Sequence, residues 1–153
     1  MRKILIRFLT ICLLLTFIPK VHAADMQSHA GAVTTGGTVL NVRASASTSA
    51  PVVTTLRKGS YVTLIEKSGL WWRVEYGKNQ YGYCHADYIT PVQGTPVSVS
   101  AEYALNVRSG AGTSYPKVAT LYRGETVLLL TTSGDWSRVL YHGTKTGYVS
   151  SRY

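Results

Sequence analysis

The four residues LNVR occur twice in this chain of 153 residues, at 40–43 and again at 105–108. Shifting the sequence by 65 residues aligns 40–88 with 105–153 without a gap, and 23 of the 49 aligned positions are identical. Unrelated segments would share only a few identities, so the chain contains a tandem duplication. A period this long exceeds the roughly 20 to 50 residues of solenoid repeats, which indicates two copies of one domain.

Within each copy, short runs of alternating apolar and polar residues predict β-strands. Leu40 and Val42 alternate with polar neighbours, and Trp72, Val74 and Tyr76 share one face of an extended segment. No window of adequate length has a helical period. The sequence therefore predicts an all-β fold in which each copy closes into a small barrel, because closure removes exposed strand edges.

Residues 1–23 have the features of a secretory signal peptide. A basic start is followed by an apolar run from Phe8 to Ile18, and the small residues Val21 and Ala23 suit a cleavage site. The run is shorter than the about 20 residues that a spanning helix needs. We therefore expect export without a membrane span after cleavage. The expected location is the cell wall or the extracellular space, or the periplasm if the source has an outer membrane.

Two segments outside the repeats lack a clear strand pattern. Residues 24–37 have no periodicity and are predicted to form a flexible tail. Residues 91–100 contain two prolines and are predicted to be a short, semi-stiff connector, although the alternation at 97–100 could extend a strand into the second copy. The predicted domains are 38–90 for domain 1 and 101–153 for domain 2.

The charge of the exported part is mildly basic. Four of the 16 Lys and Arg residues lie in the signal, so its removal lowers the net charge from +9 to +5. Such a charge suits an anionic surface such as a cell wall. The longest basic run, Arg57-Lys58, is too short to indicate nucleic-acid binding.

Cysteine and histidine do not form a catalytic pattern. Cys84 is the one cysteine outside the signal, so no disulfide can form within the exported chain. Adjacent strand residues point to opposite faces, so His85 cannot serve Cys84 as a base. Cys84 aligns with Val149, which indicates a core position. His29, His85 and His142 do not recur between the copies and have no metal-ligand spacing. No carboxylate is shared by the copies, and we expect no cofactor, no metal and no enzyme activity.

The order LNVRxxxxTSxPxVxTLxxGxxVxLxxxSGxWxRVxY, closed by GY and a final Tyr, resembles the bacterial SH3-like (SH3b-type) domains of exported, wall-associated proteins. The resemblance covers both copies and so nearly all of the chain outside the signal. It implies a small barrel of packed antiparallel sheets. It also implies a binding role, commonly toward cell-wall peptidoglycan and often beside an amidase or peptidase domain.

Aromatic and Arg residues at half-exposed positions, most of them shared by the copies, are the candidate ligand-binding residues. Trp and Tyr rings stack on sugars or peptides, and Arg pairs with carboxylates. The predicted residues are Trp71, Trp72, Arg73, Tyr83, Tyr88, Trp136, Arg138, Tyr148 and Tyr153. An architectural role is the alternative for each, and it is the preferred interpretation of LNVR, as the first strand of a domain that was copied whole.

The sequence supports two classes of function. The first is a secreted, non-catalytic protein that binds peptidoglycan, with avidity gained by linking two weak sites. The second is an interaction subunit that binds a wall hydrolase or a Pro-rich peptide. A wall hydrolase is the least favoured reading, and the oligomeric state stays open.

Overall fold

The structure is a computed structural model that describes residues 29–153, so the predicted signal peptide at 1–23 lies outside the described residues. That range contains 13 strands and a short 3₁₀ turn at Ala86–Tyr88. None of its helices is long and apolar enough to cross a membrane. The strands are β1 His29–Val33, β2 Val39–Arg43, β3 Val52–Arg57, β4 Tyr61–Ser68, β5 Trp71–Gly77, β6 Gln80–His85, β7 Ile89–Val92, β8 Thr95–Ser98, β9 Ala104–Arg108, β10 Lys117–Tyr122, β11 Thr126–Ser133, β12 Trp136–Tyr141 and β13 Lys145–Ser150.

The strands form two antiparallel sheets, one for each domain. Domain 1 has the order β3-β2-β6-β5-β4-β1-β7, and domain 2 has the order β10-β9-β13-β12-β11-β8. The two strand orders match when β9 to β13 are treated as the equivalents of β2 to β6, and β8 as the equivalent of β1. The predicted all-β tandem is therefore confirmed, and β7 is a strand that domain 1 has in addition.

Each sheet curls around its own hydrophobic core. In domain 1, Leu56 near one end of the strand order belongs to the same buried cluster as Val33 and Ile89 at the other end. The backbone N–H of Val33 donates to the carbonyl of Ser60 at 2.9 Å, and that of Gly59 donates to the carbonyl of Val33 at 2.8 Å. These two bonds extend the β1–β4 pairing into the turn after β3. The shared cluster places strands from both ends of the order around one core, as the predicted SH3-like barrel requires.

The LNVR strand has an architectural role in both domains. Its two apolar residues are buried, while its Arg side chain lies on the outer face. Nη1 of Arg43 donates to the carbonyl of Ala50 at 2.7 Å, and Nη1 of Arg108 donates to the carbonyl of Tyr115 at the same distance. Each guanidinium therefore holds the loop that follows its strand.

Part of the predicted flexible tail at 24–37 is a strand. His29–Val33 lies between β4 and β7 and pairs with both. A Cβ on Gly31 would lie 2.6 Å from Cγ2 of Ile89 and 2.9 Å from Cδ2 of Leu64, so the strand needs its small residues. The tail prediction was wrong over this strand because small residues give no visible apolar alternation.

Most of the predicted connector at 91–100 also belongs to the sheets. β7 ends at Val92 and β8 begins at Thr95, so Gln93 and Gly94 alone separate the strands. The connector prediction was wrong because proline was taken as evidence against a strand. Proline is tolerated in strands at the end of a sheet, and β7 and β8 are both end strands.

A third apolar cluster joins the two domains. Two leucines of domain 2 are buried in it, where domain 1 has polar residues: Leu128 aligns with Thr63, and Leu140 aligns with Glu75. This apolar excess in one copy marks the surface on which the copies pack. The cluster consists of Ala30, Leu128 and Leu140 with Tyr61, Val92 and Leu130 packed against them.

Polar contacts surround this apolar interface. The backbone N–H and Oγ1 of Thr63 donate to the carbonyl of Gly143 at 2.8 and 3.1 Å. Gly143 has a φ of 84°, and a Cβ there would lie 2.6 Å from the backbone nitrogen of Gly77. The turn between β12 and β13 therefore rests directly on the backbone of domain 1.

Glu125 of domain 2 ties the same turn to domain 1. Its carboxylate accepts from Nζ of Lys78 and from the backbone N–H of Tyr122, and Nε2 of His142 lies 3.6 Å from it. Burial acts to raise the pKa of Glu125, but the Lys78 and Tyr122 hydrogen bonds and the nearby positive charge lower it overall. The carboxylate is thus ionised at neutral pH and pairs across the interface.

Candidate functional site

The outer face of domain 1 carries most of its candidate residues. Strand residues alternate between faces, so burial of Val74 places Trp71 and Arg73 outward on β5. Trp71 lies opposite His85 and Arg73 lies opposite Tyr83 on the adjacent strand β6. The β5–β6 hairpin therefore presents two outward cross-strand pairs.

Three rings cluster at one end of this face. The ring centroids of Trp71 and His85 are 5.3 Å apart in an edge-to-face arrangement, and those of His85 and Tyr88 are 5.6 Å apart. The backbone N–H of Asp87 donates to Nδ1 of His85 at 3.4 Å. The imidazole is thus held between two larger rings, one from a strand and one from the 3₁₀ turn.

These rings form part of the wall of an open pocket of about 420 Å³, which we call the aromatic pocket. Its other side includes the outward residues of the first LNVR strand, so Asn41 and Arg43 face the same space as Trp71. Nη1 of Arg43 is engaged with the following loop, but a guanidinium has further N–H donors for a ligand. The remaining lining residues are Thr35, Val39, Leu40 and Thr48.

Arg73 and Tyr83 lie in a different depression. Its volume is about 300 Å³, and Glu66 and Ser68 contribute to its wall. The guanidinium carbon of Arg73 lies 4.7 Å from the ring centroid of Tyr81, a cation–π contact. The predicted residues of domain 1 therefore form two neighbouring sites rather than one groove.

Trp72 packs with the core of domain 1. It is half-buried against the apolar cluster, and Nζ of Lys67 lies 5.9 Å from the centroid of its ring. Neither of these two depressions includes Trp72 in its wall. Its position corresponds to the architectural alternative for this residue.

The ring cluster of domain 1 is not repeated in domain 2. Trp136 lies opposite Ser150, whereas the equivalent Trp71 lies opposite His85. Tyr153, which aligns with Tyr88, is 57% exposed. The duplicated Trp residues therefore have different surroundings, and the aromatic pocket is a feature of domain 1.

Arg138 contacts domain 1 rather than open solvent alone. Its guanidinium carbon lies 5.3 Å from the ring centroid of Tyr61, across the domain interface. Within its own sheet it lies opposite Tyr148, which also lies opposite Arg108. Arg138 thus supports the packing of the two domains, although it aligns with the outward Arg73.

Sequence reasoning overlooked three residues of the aromatic pocket. His85 was considered as a partner for Cys84 and as a metal ligand, and Asn41 and Arg43 were interpreted as architectural. The missing signal is pairing across the hairpin, because the register places His85 opposite Trp71. That register depends on a bulge between Glu75 and Gly77, which the residue pattern alone does not fix.

The thiol of Cys84 is shielded from solvent in this fold. Cys84 is fully buried in the domain 1 core, and burial raises its pKa to about 12. Its aligned partner Val149 is buried in domain 2, so the predicted core position is confirmed. His85 points to the opposite face, toward Trp71, as strand alternation predicted.

The described part of the chain contains no ready metal-binding site. Between residues 29 and 153, no group of three or more His, Cys, Asp or Glu side chains is placed to hold a metal ion.

Two small antiparallel barrels joined by two residues define a tandem of SH3-like domains. The family model described as bacterial SH3 domain matches residues 38–90 and 104–153. The chain belongs to this family.

The chain is similar to parts of several larger bacterial proteins. It is 26% identical over 122 residues to YrvJ of Bacillus subtilis (strain 168), which is named as a candidate N-acetylmuramoyl-L-alanine amidase. This match covers 74% of this chain and 23% of YrvJ. It is 46% identical over 56 residues to the cell wall-binding protein YwsB of the same organism, covering 36% of this chain and 31% of YwsB. It is 44% identical over 57 residues to a probable endopeptidase p60 of Listeria innocua, covering 37% of this chain and 12% of p60.

The matched region thus spans less than a third of each of these relatives. Among solved structures, NlpC2 from Trichomonas vaginalis is similar at 15% identity with a TM-score of 0.40, over 82% of this chain and 47% of that chain.

Proposed function

We propose that this chain is an exported, non-catalytic protein that binds cell-wall peptidoglycan through its bacterial SH3 domains. The observation that supports this most is the aromatic pocket of domain 1. There, Trp71, His85 and Tyr88 form one wall, and Asn41 and Arg43 supply hydrogen-bond donors nearby.

The chemistry of peptidoglycan suits this pocket. Sugar rings have apolar faces that stack on Trp and Tyr, and their hydroxyl and acetamido groups pair with polar side chains such as Asn41. Stem peptides carry carboxylates, which pair with a guanidinium such as Arg43 through charge-assisted hydrogen bonds. The pocket therefore offers both kinds of contact within one opening.

The relatives and the charge support the same proposal. YwsB is named as a cell wall-binding protein. YrvJ is named as a candidate N-acetylmuramoyl-L-alanine amidase, and p60 is named as a probable endopeptidase. The part that this chain shares with them is a bacterial SH3 region, which we take to be a binding part. A net charge of +5 outside the signal adds a salt-dependent attraction to anionic wall polymers.

The duplication increases apparent affinity in this proposal. A repetitive polymer presents many equivalent sites, so a second, weaker contact by domain 2 forms at a high effective concentration. Trp136 and Tyr148 are the half-exposed rings of domain 2 that are available for such a contact.

The test is co-sedimentation with purified sacculi that have been stripped of teichoic acid, at low and at moderate salt. We expect the chain to sediment in both conditions. Trp71→Ala should weaken binding by about 1–3 kcal/mol, roughly five- to 150-fold, if Trp71 is an anchor of the contact. The matched control is Trp136→Ala, which removes the aligned ring and should have a smaller effect.

Two results would count against the proposal. If the chain stays in the supernatant at both salt concentrations, peptidoglycan is not the ligand. If binding occurs only at low salt and disappears when teichoic acid is removed, charge alone accounts for the attraction. Thermal unfolding of each variant shows whether the barrel is intact, so that a loss of fold is not taken for a loss of binding.

A further inference from the structure

A row of side chains crosses the outer face of domain 1 beside the aromatic pocket. Residues that lie opposite each other on adjacent strands point to the same face of a sheet. Arg43 of β2 lies opposite Tyr83 of β6. Arg73 of β5 lies opposite Tyr83 on one side and opposite Glu66 of β4 on the other. The row therefore places two guanidinium groups, a phenol and a carboxylate across four neighbouring strands.

Arg73 and Glu66 are neighbours of opposite charge that do not pair with each other. Within residues 29–153, no salt bridge involves either side chain. The guanidinium of Arg73 lies over the ring of Tyr81 instead. A cation–π contact uses the positive charge and not the N–H donors, so these donors remain for a ligand.

Both charged groups line the depression of about 300 Å³ described above, which we call the charged depression. Ser45 and Ser68 add hydroxyl groups to its wall, and Tyr83 adds a half-buried phenol. Its volume is at the small end for ligand sites, which suits one amino-acid residue. Adjacent strands are about 4.8 Å apart, so one small ligand can reach both Arg73 and Glu66.

We propose that the charged depression binds an ammonium and a carboxylate carried on one carbon atom, as at the free end of a diamino acid in an uncross-linked stem peptide. The ligand carboxylate accepts from the guanidinium of Arg73, and the ligand ammonium donates to the carboxylate of Glu66. This inference rests on the proposed binding of peptidoglycan and names the part of the stem peptide that is recognised.

The charged depression is well placed for a ligand whose sugar lies in the aromatic pocket. Trp71 and Arg73 are two residues apart on β5, roughly 7 Å along the strand, and each lines one of the two sites. Arg43 lines the aromatic pocket and lies opposite Tyr83 of the charged depression. A stem peptide branches from a sugar of the glycan, so one fragment can reach both sites.

Domain 2 has the cation of this row without the carboxylate. Arg138 aligns with Arg73 but packs on Tyr61 across the domain interface. Thr131 lies opposite Arg138, at the position that Glu66 has in domain 1. Recognition of the paired charges is therefore a property of domain 1.

The test uses the full chain and three soluble muropeptides that share one disaccharide and one three-residue stem. The first ends in meso-diaminopimelate, whose side-chain carbon carries a free amine and a free carboxylate. The second has that amine acetylated, and the third has that carboxylate converted to an amide. In NMR titrations of the ¹⁵N-labelled chain, we expect the first to bind at least about threefold more tightly than either of the others. Shifts should include the amides of Glu66 and Tyr83 and the side-chain Nε–H of Arg73.

Two variants assign each ligand charge to one residue. In Glu66→Gln, acetylation of the ligand amine should no longer change affinity, while amidation of the ligand carboxylate still does. In Arg73→Gln, the two effects should be exchanged. A general disturbance of the barrel would not remove one discrimination and keep the other. Glu102→Gln removes the same charge at an exposed position of domain 2 and should keep both.

Equal affinity for the three muropeptides would overturn the inference. So would both discriminations persisting in the Glu66→Gln and Arg73→Gln variants, with melting temperatures that show a folded chain. Saturable shifts confined to the aromatic pocket would overturn this inference while the proposed wall binding stands. If neither site shifts and the chain also fails to sediment with sacculi, the proposed function fails as well.

Discussion

At Cys84, domain 1 buries a thiol where domain 2 buries the isopropyl group of Val149. The two side chains have similar volumes, and the neighbouring strands are equivalent. We expect Cys84→Val to change the free energy of unfolding by less than about 1 kcal/mol, because volume-conserving swaps in a core are well tolerated. Chemical denaturation at neutral pH measures this change. Rapid labelling of native Cys84 by a bulky thiol reagent would contradict the burial.

Cys84→Val also isolates the contribution that the Cys84 thiol makes to stability at alkaline pH. Burial raises the pKa of Cys84 from 9.0 to about 12, so the folded state favours the neutral thiol. The stability that this contributes is complete below pH 9.0 and is lost as the pH rises toward 12. We expect the unmodified chain to lose more stability across this range than Cys84→Val. Burial also raises the pKa of Tyr141, but that group is common to both chains.

At the same scale, the sequence identified some of the residues that line the aromatic pocket and not the rest. Trp71 and Tyr88 were predicted from residue type and half-exposure, and both line the aromatic pocket. His85 was overlooked because its role depends on the register of the β5–β6 hairpin. The alignment of the copies also suggested equal surroundings for Arg73 and Arg138, whereas Arg138 packs on Tyr61 of the other domain.

Among the elements, the turn between β12 and β13 makes direct backbone contact with domain 1. Gly143→Ala should disturb it in two ways, through an unfavourable positive φ and through a clash with the backbone of Gly77. The control is Gly124→Ala, where φ is 83° and no atom lies within 4 Å of the added Cβ. We expect Gly124→Ala to lose about 1–2 kcal/mol from backbone strain and Gly143→Ala to lose more.

Thermal and chemical unfolding of the two glycine variants measure this difference. Equal losses would mean that the contact between Gly143 and domain 1 adds nothing to stability. The comparison is informative because the φ angles of the two glycines differ by 1°.

Strand types were predictable from the sequence where one face is buried and the other is exposed. β2 has this pattern, with Leu40 and Val42 buried and Asn41 exposed, and it was predicted from alternation. β11 departs from it, because the run from Val127 to Leu130 is apolar without alternation. Such a run is typical of a strand that is covered on both faces, here by its own core and by the other domain.

In the whole molecule, the two barrels pack on each other through Leu128 and Leu140. The double variant Leu128→Thr, Leu140→Glu introduces the residues that domain 1 has at the aligned positions. Because the domain 1 barrel accepts these residues, we expect domain 2 to stay folded while the domains separate. NMR relaxation should then show faster tumbling of each domain, and X-ray scattering a larger radius of gyration.

Unchanged tumbling in this double variant would mean that the polar contacts alone fix the domains. The geometry matters for the proposed function, because a fixed orientation sets the spacing between the aromatic pocket and any second contact in domain 2. We expect the double variant to keep the intrinsic affinity of domain 1 for small wall fragments. Its apparent affinity for whole sacculi should change, since the linkage between the sites changes.

The most direct test of the account is NMR titration of the ¹⁵N-labelled chain with soluble peptidoglycan fragments that contain glycan and stem peptide. We expect saturable shifts at the indole N–H of Trp71 and at the amides of Asn41, His85 and Tyr88, with little change at the indole N–H of Trp72. Saturable shifts confined to surfaces away from the aromatic pocket, or no shifts at millimolar fragment, would contradict it.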